Sequence, residues 1–500
     1  MLLAVPAEIV NKITIEADGQ TRGRLRRTCK LLNSIATPFV FESVYIDLAW
    51  RRRSRTLFLN SLTSGPKLAQ YIIRLSLYLP KRSRHHLSRF STKSRTKKRE
   101  ERLDSFDGLL LAAIPSMLAL RTFSWMSTED SGRKYTQLIF EKFGCLPLLS
   151  ALNISTGFSS WDVPWSHFSH IRDISYFGCR GTELATLIGH NRNIERIDAS
   201  VWRPQGLFLE GGKSISLLFS SLPQGTHSRV KKLTLDGNAY NQLYPHEIPT
   251  LLPHLRHLEG LEIYYILPPS EFWGGLREAG INLTSLTYCE RTLERPLLSY
   301  LVSYTGLREM SVWVLGQSVP EDVHVVGILA SIITINSWYL TRVHIDTFDN
   351  VTWCLNHPMM DSLSSCHYLE SLRVCVDKSV TRADSNRNVV DRVLEAALVS
   401  WPNLWYLGIY VAVSHSYGFE AIRTTASQVH KRIMAFRFTL LPPEQATPYI
   451  YSDFAMYSAK IYDRKRNVHA FKVGYLEYYG EKELWRKCKF WKRSRDTNDD

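Results

Sequence analysis

The chain has 500 residues, of which 44% are hydrophobic and 12% aromatic, so it can bury a large core and need not be disordered. It is longer than a usual single domain, which suits an open-ended repeat array. No run approaches the ~18 apolar residues of a membrane span. The eight cysteines show no CxxC motif and no paired spacing, which predicts reduced cysteines in an intracellular protein without a zinc site. The formal charge of +15 favours nucleic acid at first sight, but ten Lys or Arg and two Glu within residues 81–102 supply +8 of it.

The first 47 residues are predicted to form a helical unit. Pro6 stands at a plausible first helical position, and Ile9 and Ile13 then share one face of a short helix. A polar, glycine-containing break follows at residues 18–23, and Pro38 is predicted to stop a second helix. That second helix is indicated by four residues at helical spacing: Leu25, Cys29, Leu32 and Ala36.

This segment resembles an F-box, the motif by which substrate receptors dock on the Skp-type adaptor of cullin-RING ubiquitin ligases. The interval of 21 residues between Glu8 and Cys29 fits the family register. The matching residues are Pro6, Glu8, Ile9, Ile13, Leu25, Cys29, Lys30, Ala36 and Pro38. The sequence departs from the family at Leu32, where Trp is usual, and at Arg22 and Gly23, where apolar residues are usual.

The resemblance implies an adaptor-binding surface on this unit. Its residues would be Pro6, Glu8, Ile9, Ile13, Leu25, Cys29, Leu32, Ala36 and Pro38. The continuation through residues 41–47, 57–62 and 69–77 is similar to the F-box receptors of mushroom-forming fungi. The alternative is a plain two-helix cap that shields the first coil of the following array.

Residues 48–440 are predicted to form an irregular repeat array, which is clearest at residues 230–238. Val230, Leu233, Leu235 and Asn238 follow the order apolar-x-x-apolar-x-apolar-x-x-Asn, the signature of a leucine-rich repeat. A second copy has Cys in the Asn place and begins at Ile171. Ten looser copies begin at Ile72, Leu120, Leu149, Ile194, Leu258, Leu283, Leu307, Leu340, Leu369 and Leu404, and a further one is indicated at Ile433.

The spacing of these copies is stronger support than any single match. Successive starts from Leu120 to Leu404 lie 22 to 36 residues apart, and most gaps hold one amphipathic segment. We therefore expect an α/β fold, a curved leucine-rich-repeat solenoid with a parallel sheet on its concave face. The alternative is an ordinary α/β domain with short parallel strands.

Two segments of the chain differ from the array. The basic residues 81–102 are poor in apolar side chains and are expected to form a disordered insertion. Its run 94–99 fits a nuclear import signal and equally a solvated loop, so the compartment is cytoplasm or nucleus. Residues 441–491 are rich in aromatics and are predicted to cap the open end of the array, while residues 492–500 are expected to be a disordered tail.

No catalytic motif emerges from the sequence. Residues 206–214 approach a phosphate-binding loop, but Gly206 stands one residue too early for GxxxxGK[ST]. No HExxH, no GxSxG and no His/Cys cluster with metal spacing is found. The expectation is a protein that is not an enzyme and has no cofactor and no metal.

Function should therefore lie on a protein-binding surface. Because side chains alternate along a strand, Leu261 and Ile263 are expected to point into the core. The residue that follows Ile263, and its equivalent in each repeat, is then expected on the opposite face of the strand. That position carries aromatic and charged residues typical of interfaces, and also Cys289 and Cys375. The position between the two core residues also faces outward and carries Arg373 and, beside Asp346, His344. The candidate substrate-binding residues are Tyr264, Trp313, Asp346, Arg373 and Tyr410.

The pattern as a whole favours the substrate-recognition subunit of a Skp–cullin–F-box ubiquitin ligase. Its predicted partners are the adaptor with its cullin complex and an unknown protein substrate, without a membrane. The alternative is an interaction scaffold with a helical N-terminal cap and no ligase link. A nucleic-acid binder that uses residues 81–102 is the weaker third hypothesis.

Overall fold

A computed structural model describes most of the chain between Val5 and Ala470. The described residues are 5–47, 52–64, 66–79, 105–127, 135–156, 164–177, 181–200, 215–236, 243–290, 293–314, 324–347, 355–376, 389–412, 435–441, 455–456, 461–463 and 468–470. The chain divides into a first unit, Met1–Gly275, and a second unit, Leu276–Asp500. The predicted insertion 81–102 and the tail 492–500 lie outside the described residues, as does most of the predicted cap 441–491.

The first unit begins with three helices, α1 (Ala7–Glu16), α2 (Gly19–Leu25) and α3 (Lys30–Phe41), with α1 and α2 both packed against α3. The predicted break at residues 18–23 is therefore wrong. Asp18 starts α2 there, because its carboxylate accepts the backbone N–H of Thr21 at 2.8 Å.

The prediction that Pro38 stops the second helix is also wrong, because Pro38 lies inside α3. The helix continues past the proline because the aromatic residues beyond it are held by packing. Phe41 stacks on Phe58 with ring centroids 6.1 Å apart, and the Arg22 guanidinium lies 5.8 Å from the Phe39 ring centroid.

The remaining helices connect successive strands of the sheet. In the first unit they are α4 (Arg52–Ser64), α5 (Pro66–Ala69), α6 (105–113), α7 (Thr136–Gly144), α8 (Gly181–His190) and α9 (Ile248–Leu255), with α10 (Ser270–Glu278) at its boundary. In the second unit they are α11 (Arg295–Val302), α12 (His324–Ile335), α13 (His357–Ser364) and α14 (Val389–Val399). Short 3-10 turns stand between strands at Trp165–His167 and Ile215–Phe219, and two more adjoin an α-helix, Ile114–Ser116 after α6 and Pro245–Glu247 before α9.

Parallel strands alternate with these helices, and each pairs with the next in chain order within its unit. The first unit holds β1 (Ser43–Asp47), β2 (Arg74–Leu79), β3 (Thr122–Ser127), β4 (Ala151–Thr156), β5 (Asp173–Phe177), β6 (Arg196–Ser200), β7 (Lys232–Asp236) and β8 (Gly260–Tyr264). The second holds β9 (Ser285–Glu290), β10 (Glu309–Val314), β11 (Arg342–Thr347), β12 (Ser371–Val376), β13 (Tyr406–Ala412) and β14 (Ala435–Leu441). Because β1 pairs with β2, the sheet begins inside the range assigned from sequence to the helical unit.

The last described strands are short and antiparallel. The strand β15 (Ala455–Met456) pairs antiparallel with β14, and β16 (Ile461–Asp463) pairs antiparallel with β17 (Val468–Ala470). The repeat predicted at Ile433 corresponds to β14, which continues the parallel order after β13.

Burial confirms the predicted phase of the strands. Leu261 and Ile263 are 0% and 1% exposed, whereas Tyr264, the last residue of β8, is half-buried. The three apolar positions of every predicted repeat from Ile72 to Leu404 are buried. An α/β solenoid of leucine-rich-repeat type, with strands in sequential parallel order, is thus observed in each unit.

A repeated backbone contact starts most of these strands. One carbonyl of a coil accepts two successive N–H groups of the next coil, as when the Arg308 carbonyl accepts from Thr341 at 2.8 Å and Arg342 at 3.1 Å. The same contact recurs on the carbonyls of Glu42, Ile73, Arg121, Ser150, Arg172, Glu195, Lys231, Thr284, Thr341 and Glu370. It sets the register of adjacent strands without involving any side chain, so coils of different length stay aligned.

Two buried asparagines join neighbouring coils at a place that the sequence pattern did not indicate. The Asn336 side-chain oxygen accepts the backbone N–H groups of Gly306 and Leu307, both at 2.9 Å, and its amide donates to the Ile332 carbonyl. Asn191 makes the same kind of contact with the Ile171 N–H at 2.8 Å. Each asparagine follows a helix and satisfies polar groups of the preceding coil that would otherwise be buried without partners.

The Asn336 contact predicts a measurable loss of stability. Asn336→Ala should leave two backbone N–H groups without this acceptor and lower the free energy of unfolding by about 3 kcal/mol. Urea titration followed by circular dichroism measures the effect. Asn282→Ala, at an exposed position of the same unit, is the control and should change stability little. Equal effects of the two substitutions would contradict the role given to Asn336.

Candidate functional site

Alternate side chains of each strand point away from the core and form a second face of the sheet. In the second unit we call this face the open face and define it by the first, third and fifth residues of β9–β13. In β10, Met310 and Val312 are fully buried, whereas Glu309 and Trp313 are half-buried. Strand pairing therefore brings residues from distant parts of the sequence next to each other on this face.

Two of the predicted binding residues meet on the open face. The guanidinium carbon of Arg373 in β12 lies 5.9 Å from the centroid of the Trp313 ring in β10, across the intervening strand β11. Such a cation–π contact holds the planar guanidinium over the indole. Asp346 is the register partner of Trp313 on β11, so three of the predicted residues belong to one neighbourhood.

The contacts above do not include the other two predicted residues. Tyr410 is in β13 in register with Cys375, and Tyr264 is in the first unit, where its hydroxyl lies 3.2 Å from a Glu262 carboxylate oxygen. The predicted continuous row is interrupted, because Cys289 and Cys375 occupy the same strand position and are buried.

Two side chains that are not among the predicted binding residues, His344 and Tyr406, complete this neighbourhood. His344 lies 2.8 Å through its Nε2 from the Ser371 hydroxyl, and its ring centroid lies 6.0 Å from that of Tyr406. His344 and Arg373 are register partners on adjacent strands. We call Trp313, His344, Arg373 and Tyr406 the Arg373 cluster. Four of the five predicted residues occupy the fifth strand position, whereas His344 and Arg373 occupy the third and Tyr406 the first.

Gly408 shapes one side of the Arg373 cluster. A Cβ at this position would lie 3.1 Å from the Tyr406 hydroxyl oxygen and 3.4 Å from Cγ of Arg373. The missing side chain therefore lets the Tyr406 phenol lie across its own strand towards Arg373. A glycine inside a strand often marks such a close approach.

An ion pair lies on the strands next to Arg373. Arg342 donates to a Glu309 carboxylate oxygen at 3.1 Å, and the Ser285 hydroxyl donates to the same oxygen at 3.2 Å. Burial, followed by the positive charges of Arg342 and Arg373, lowers the pKa of His344 to about 4. The imidazole is therefore neutral at physiological pH, between two arginines.

The N-terminal unit divides the predicted adaptor-binding residues into three groups. Pro6, Glu8, Ile9 and Ile13 are exposed on or before α1, and Leu25, Cys29 and Pro38 are half-buried. Leu32 and Ala36 are buried, because they form the small core of the unit together with Val10. Leu32 and Ala36 are therefore assigned a structural role in place of the predicted adaptor contact, because a buried side chain has no accessible surface for a partner.

Arg22, a departure from the F-box pattern, also has a structural role. Its side chain donates to the carbonyls of Thr14 at 2.9 Å and Ile15 at 2.5 Å, at the C-terminal end of α1. A cation at this end of a helix is favourable because the exposed carbonyls there carry partial negative charge. The arginine thus joins α1 to α2 where the family usually has an apolar residue.

Cys29 also helps to fold the N-terminal unit. Its sulfur caps α3 by accepting the backbone N–H of Leu32 at 3.5 Å. The contact satisfies one of the first N–H groups of the helix, which have no partner within the helix itself.

The described residues give no sign of a metal centre or a membrane span. No group of three or more His, Cys, Asp and Glu in this part of the chain is placed to hold a metal ion. No helix among the described residues is long and apolar enough to cross a membrane.

Comparisons with known proteins add little to this description. No protein-family model matches the chain, and no curated protein matches it. Among solved structures the chain is similar to the crystal structure of an internalin from Listeria monocytogenes, at 11% identity and a TM-score of 0.33, over 65% of this chain and 82% of that chain. A similarity of this size does not bear on function, so the fold assignment rests on the strand order and burial described above.

The neutral state of His344 predicts a pH-dependent stability. In the folded chain the pKa of His344, about 4, lies below the ordinary value of 6.5. At a pH between these two values the imidazole therefore binds a proton in the unfolded chain but not in the folded chain. The contribution of His344 is therefore fully present above pH 6.5 and is lost as pH falls towards about 4.

Urea titrations at several pH values check this, with His344→Gln as the variant that cannot titrate. The difference in unfolding free energy between wild type and His344→Gln should shrink as the pH falls through that window. His170→Gln, at an exposed position, is the control and should follow the wild-type curve. A difference that is independent of pH for His344→Gln would show that this imidazole is not held neutral.

Proposed function

We propose that this chain is a non-enzymatic substrate receptor: its N-terminal unit docks on the Skp-type adaptor of a cullin-RING ubiquitin ligase, and the open face of its second unit holds a protein substrate. The observation that carries the first part is an apolar strip on α1. Ile9 and Ile13 are 45% and 46% exposed, although Val10 on the same helix is buried. An exposed pair of large aliphatic side chains at this spacing supports docking of a partner helix or groove.

The interior of the N-terminal unit supports the same proposal. Val10, Leu32 and Ala36 are buried and fill the space between α1 and α3. Ile9 and Ile13 are thus not needed to complete the core of this unit, and their exposure is available for a partner. Together with the F-box resemblance, this favours adaptor docking over a merely structural role of α1.

The open face supports the second part of the proposal. Trp, Tyr and Arg side chains at the Arg373 cluster are the residue types that contribute most to protein interfaces. No reaction by the chain itself is required, because a receptor acts by holding the substrate close to the ligase, which raises its effective concentration.

The alternative is an interaction scaffold in which the N-terminal unit only covers the first coil. One observation favours it: α3 packs against β1 and α5, so the unit does shield the beginning of the sheet. The two roles use different surfaces of the N-terminal unit. The first coil is covered by α3, whereas the exposed apolar strip proposed to bind the adaptor lies on α1.

A single substitution on α1 separates these possibilities. Ile9→Asp should abolish co-purification with the adaptor, because a carboxylate in an apolar contact is left without a partner. Ile15→Asp is the matched control: Ile15 is also 45% exposed, but it lies about 200° around the helix from Ile13. The Ile15→Asp variant should still bind the adaptor. If the wild-type protein recovers no adaptor, or if both variants lose co-purification equally, the chain is better explained as a scaffold.

Substitution on the open face tests substrate holding. Trp313→Ala should abolish proximity labelling of the substrate while adaptor binding and the thermal unfolding transition stay close to wild type. Leu261→Ala should instead lower the free energy of unfolding by ~2–5 kcal/mol, because it leaves a cavity in the core.

The control for the open face is Trp338→Ala. Trp338 is 70% exposed in the turn before β11 and is not a strand residue of the open face. Labelling that survives Trp313→Ala, or is lost equally with Trp338→Ala, would place substrate binding elsewhere.

A further inference from the structure

The turns that lead into β11, β12 and β13 carry exposed aromatic side chains. His367 is exposed, and its ring centroid lies 6.4 Å from that of Trp338 in the neighbouring coil. Four further aromatic positions on these turns, with Trp338 counted among them, are 43% to 70% exposed: Trp338, Tyr339, Tyr368 and Trp405. We call these four residues and His367 the aromatic ridge. Large apolar side chains that are exposed together in this way are typical of a surface that binds another protein.

The aromatic ridge is almost without charge, although the chain as a whole carries +15. Within residues 337–341, 366–370 and 401–405, which form the three turns, Glu370 is the only Asp, Glu, Lys or Arg. Its carboxylate is exposed and forms no ion pair with any residue that the structure describes. An exposed cation, Arg308, holds the equivalent position two coils earlier. A partner that lies along the ridge therefore gains from a positive charge close to Glu370.

Glu370 and Trp405 hold equivalent positions in neighbouring coils. Each is the residue immediately before its strand, and the backbone N–H of Trp405 donates to the Glu370 carbonyl at 2.9 Å. Because adjacent strands lie ~4.8 Å apart, the two side chains start side by side. A Lys or Arg side chain of a partner can pair with the carboxylate while it lies over the face of the indole.

Backbone hydrogen-bonding groups of the ridge are already used within the chain. The carbonyls of Thr341 and Glu370 each accept two N–H groups of the following coil. The N–H groups that donate within the chain are those of Tyr339, Leu340, Thr341, Leu369, Glu370, Leu404 and Trp405. A partner added as a β-strand would need such groups to be unused, so a partner that binds through side chains is favoured. A polyproline II segment is of this kind, because its backbone stays solvated and its proline rings pack on aromatic side chains.

The ridge also has the length of one turn of polyproline II. Its three coils span two strand intervals of ~4.8 Å, or about 9.6 Å. Three residues of polyproline II, at ~3.1 Å each, span about 9.3 Å. Prolines three residues apart therefore fit over the first and the third coil.

We propose that the aromatic ridge binds a proline-rich segment of a partner protein, in the polyproline II conformation, that carries a Lys or Arg. The prolines pack on Trp338, Tyr339 and Tyr368, and the basic side chain lies between Glu370 and Trp405. The ridge residues precede the strands and lie outside the open face. The inference therefore depends neither on adaptor docking nor on substrate binding at the Arg373 cluster.

Peptide display on the full-length protein tests the proposal without a known partner. A library of random peptides is first passed over the double variant Trp338→Ala/Tyr368→Ala, which removes peptides that bind elsewhere, and is then selected on the wild-type protein. Both substituted side chains are exposed, so the double variant should unfold thermally like wild type. Selected peptides should be enriched in proline at Pro-x-x-Pro spacing and should carry Lys or Arg. Enrichment of acidic peptides or of peptides without proline would overturn the proposal, as would a library that yields no binder.

A selected peptide then measures the separate contacts by fluorescence anisotropy. The double variant should bind it at least about tenfold more weakly than wild type, because two aromatic anchors are removed. Replacing the basic residue of the peptide by norleucine should weaken binding to wild type about fivefold, since the ion pair and the cation–π contact are lost. Glu370→Gln should reduce this preference for the basic form. A preference that Glu370→Gln leaves unchanged would contradict the role given to the carboxylate.

Three variants are controls for the position of the site. Tyr45→Ala removes an exposed aromatic ring from the first unit, and Glu278→Gln removes an exposed carboxylate from α10. Both should bind the peptide like wild type, and so should Trp313→Ala on the open face. Peptide binding that needs Trp313 as much as Trp338 would overturn the proposal. Substrate labelling that fails while the peptide still binds the ridge would instead count against the proposed function alone.

Discussion

Parallel pairing of each strand with the next is the constraint on which the rest of this structure depends. A single coil buries its inward side chains only when a neighbouring coil stacks on it, as Leu261 and Ile263 of β8 do beside Leu233 and Leu235 of β7. The carbonyl that accepts two N–H groups of the following coil sets the register at which this happens. Loops between coils then vary in length without disturbing the strands.

The same constraint creates the Arg373 cluster. Its members are distant in sequence, and only the register of β10–β13 brings Trp313, His344, Arg373 and Tyr406 side by side. The core residues of these strands are aliphatic and interchangeable in kind, whereas the open face carries specific pairs of charge and aromatic ring. Core packing and surface chemistry are therefore carried by alternate residues of one strand, so that the proposed recognition surface can change while the fold is kept.

Much of the fold could be predicted because the apolar triads repeat along the chain and their phase is set by strand alternation. What sequence spacing could not predict depends on contacts between coils. Asn336 binds backbone groups about thirty residues earlier, and Arg373 reaches Trp313 across an intervening strand because its side chain is long. At the N terminus, Pro38 was expected to stop a helix and does not, because packing of Phe39 and Phe41 outweighs the missing backbone N–H. Leu32 and Ala36 match an interface motif by spacing, but spacing alone does not tell which face of α3 is buried.

We propose that one chain carries a docking helix and a separate recognition face. Hydrogen–deuterium exchange of the full chain, with and without purified Skp-type adaptor, is the decisive measurement for this proposal. The adaptor should slow exchange in the N-terminal unit, in peptides covering α1 (Ala7–Glu16), and should leave the exchange of strands β10–β13 unchanged. Protection of those strands by the adaptor, or no protection of α1, would contradict it.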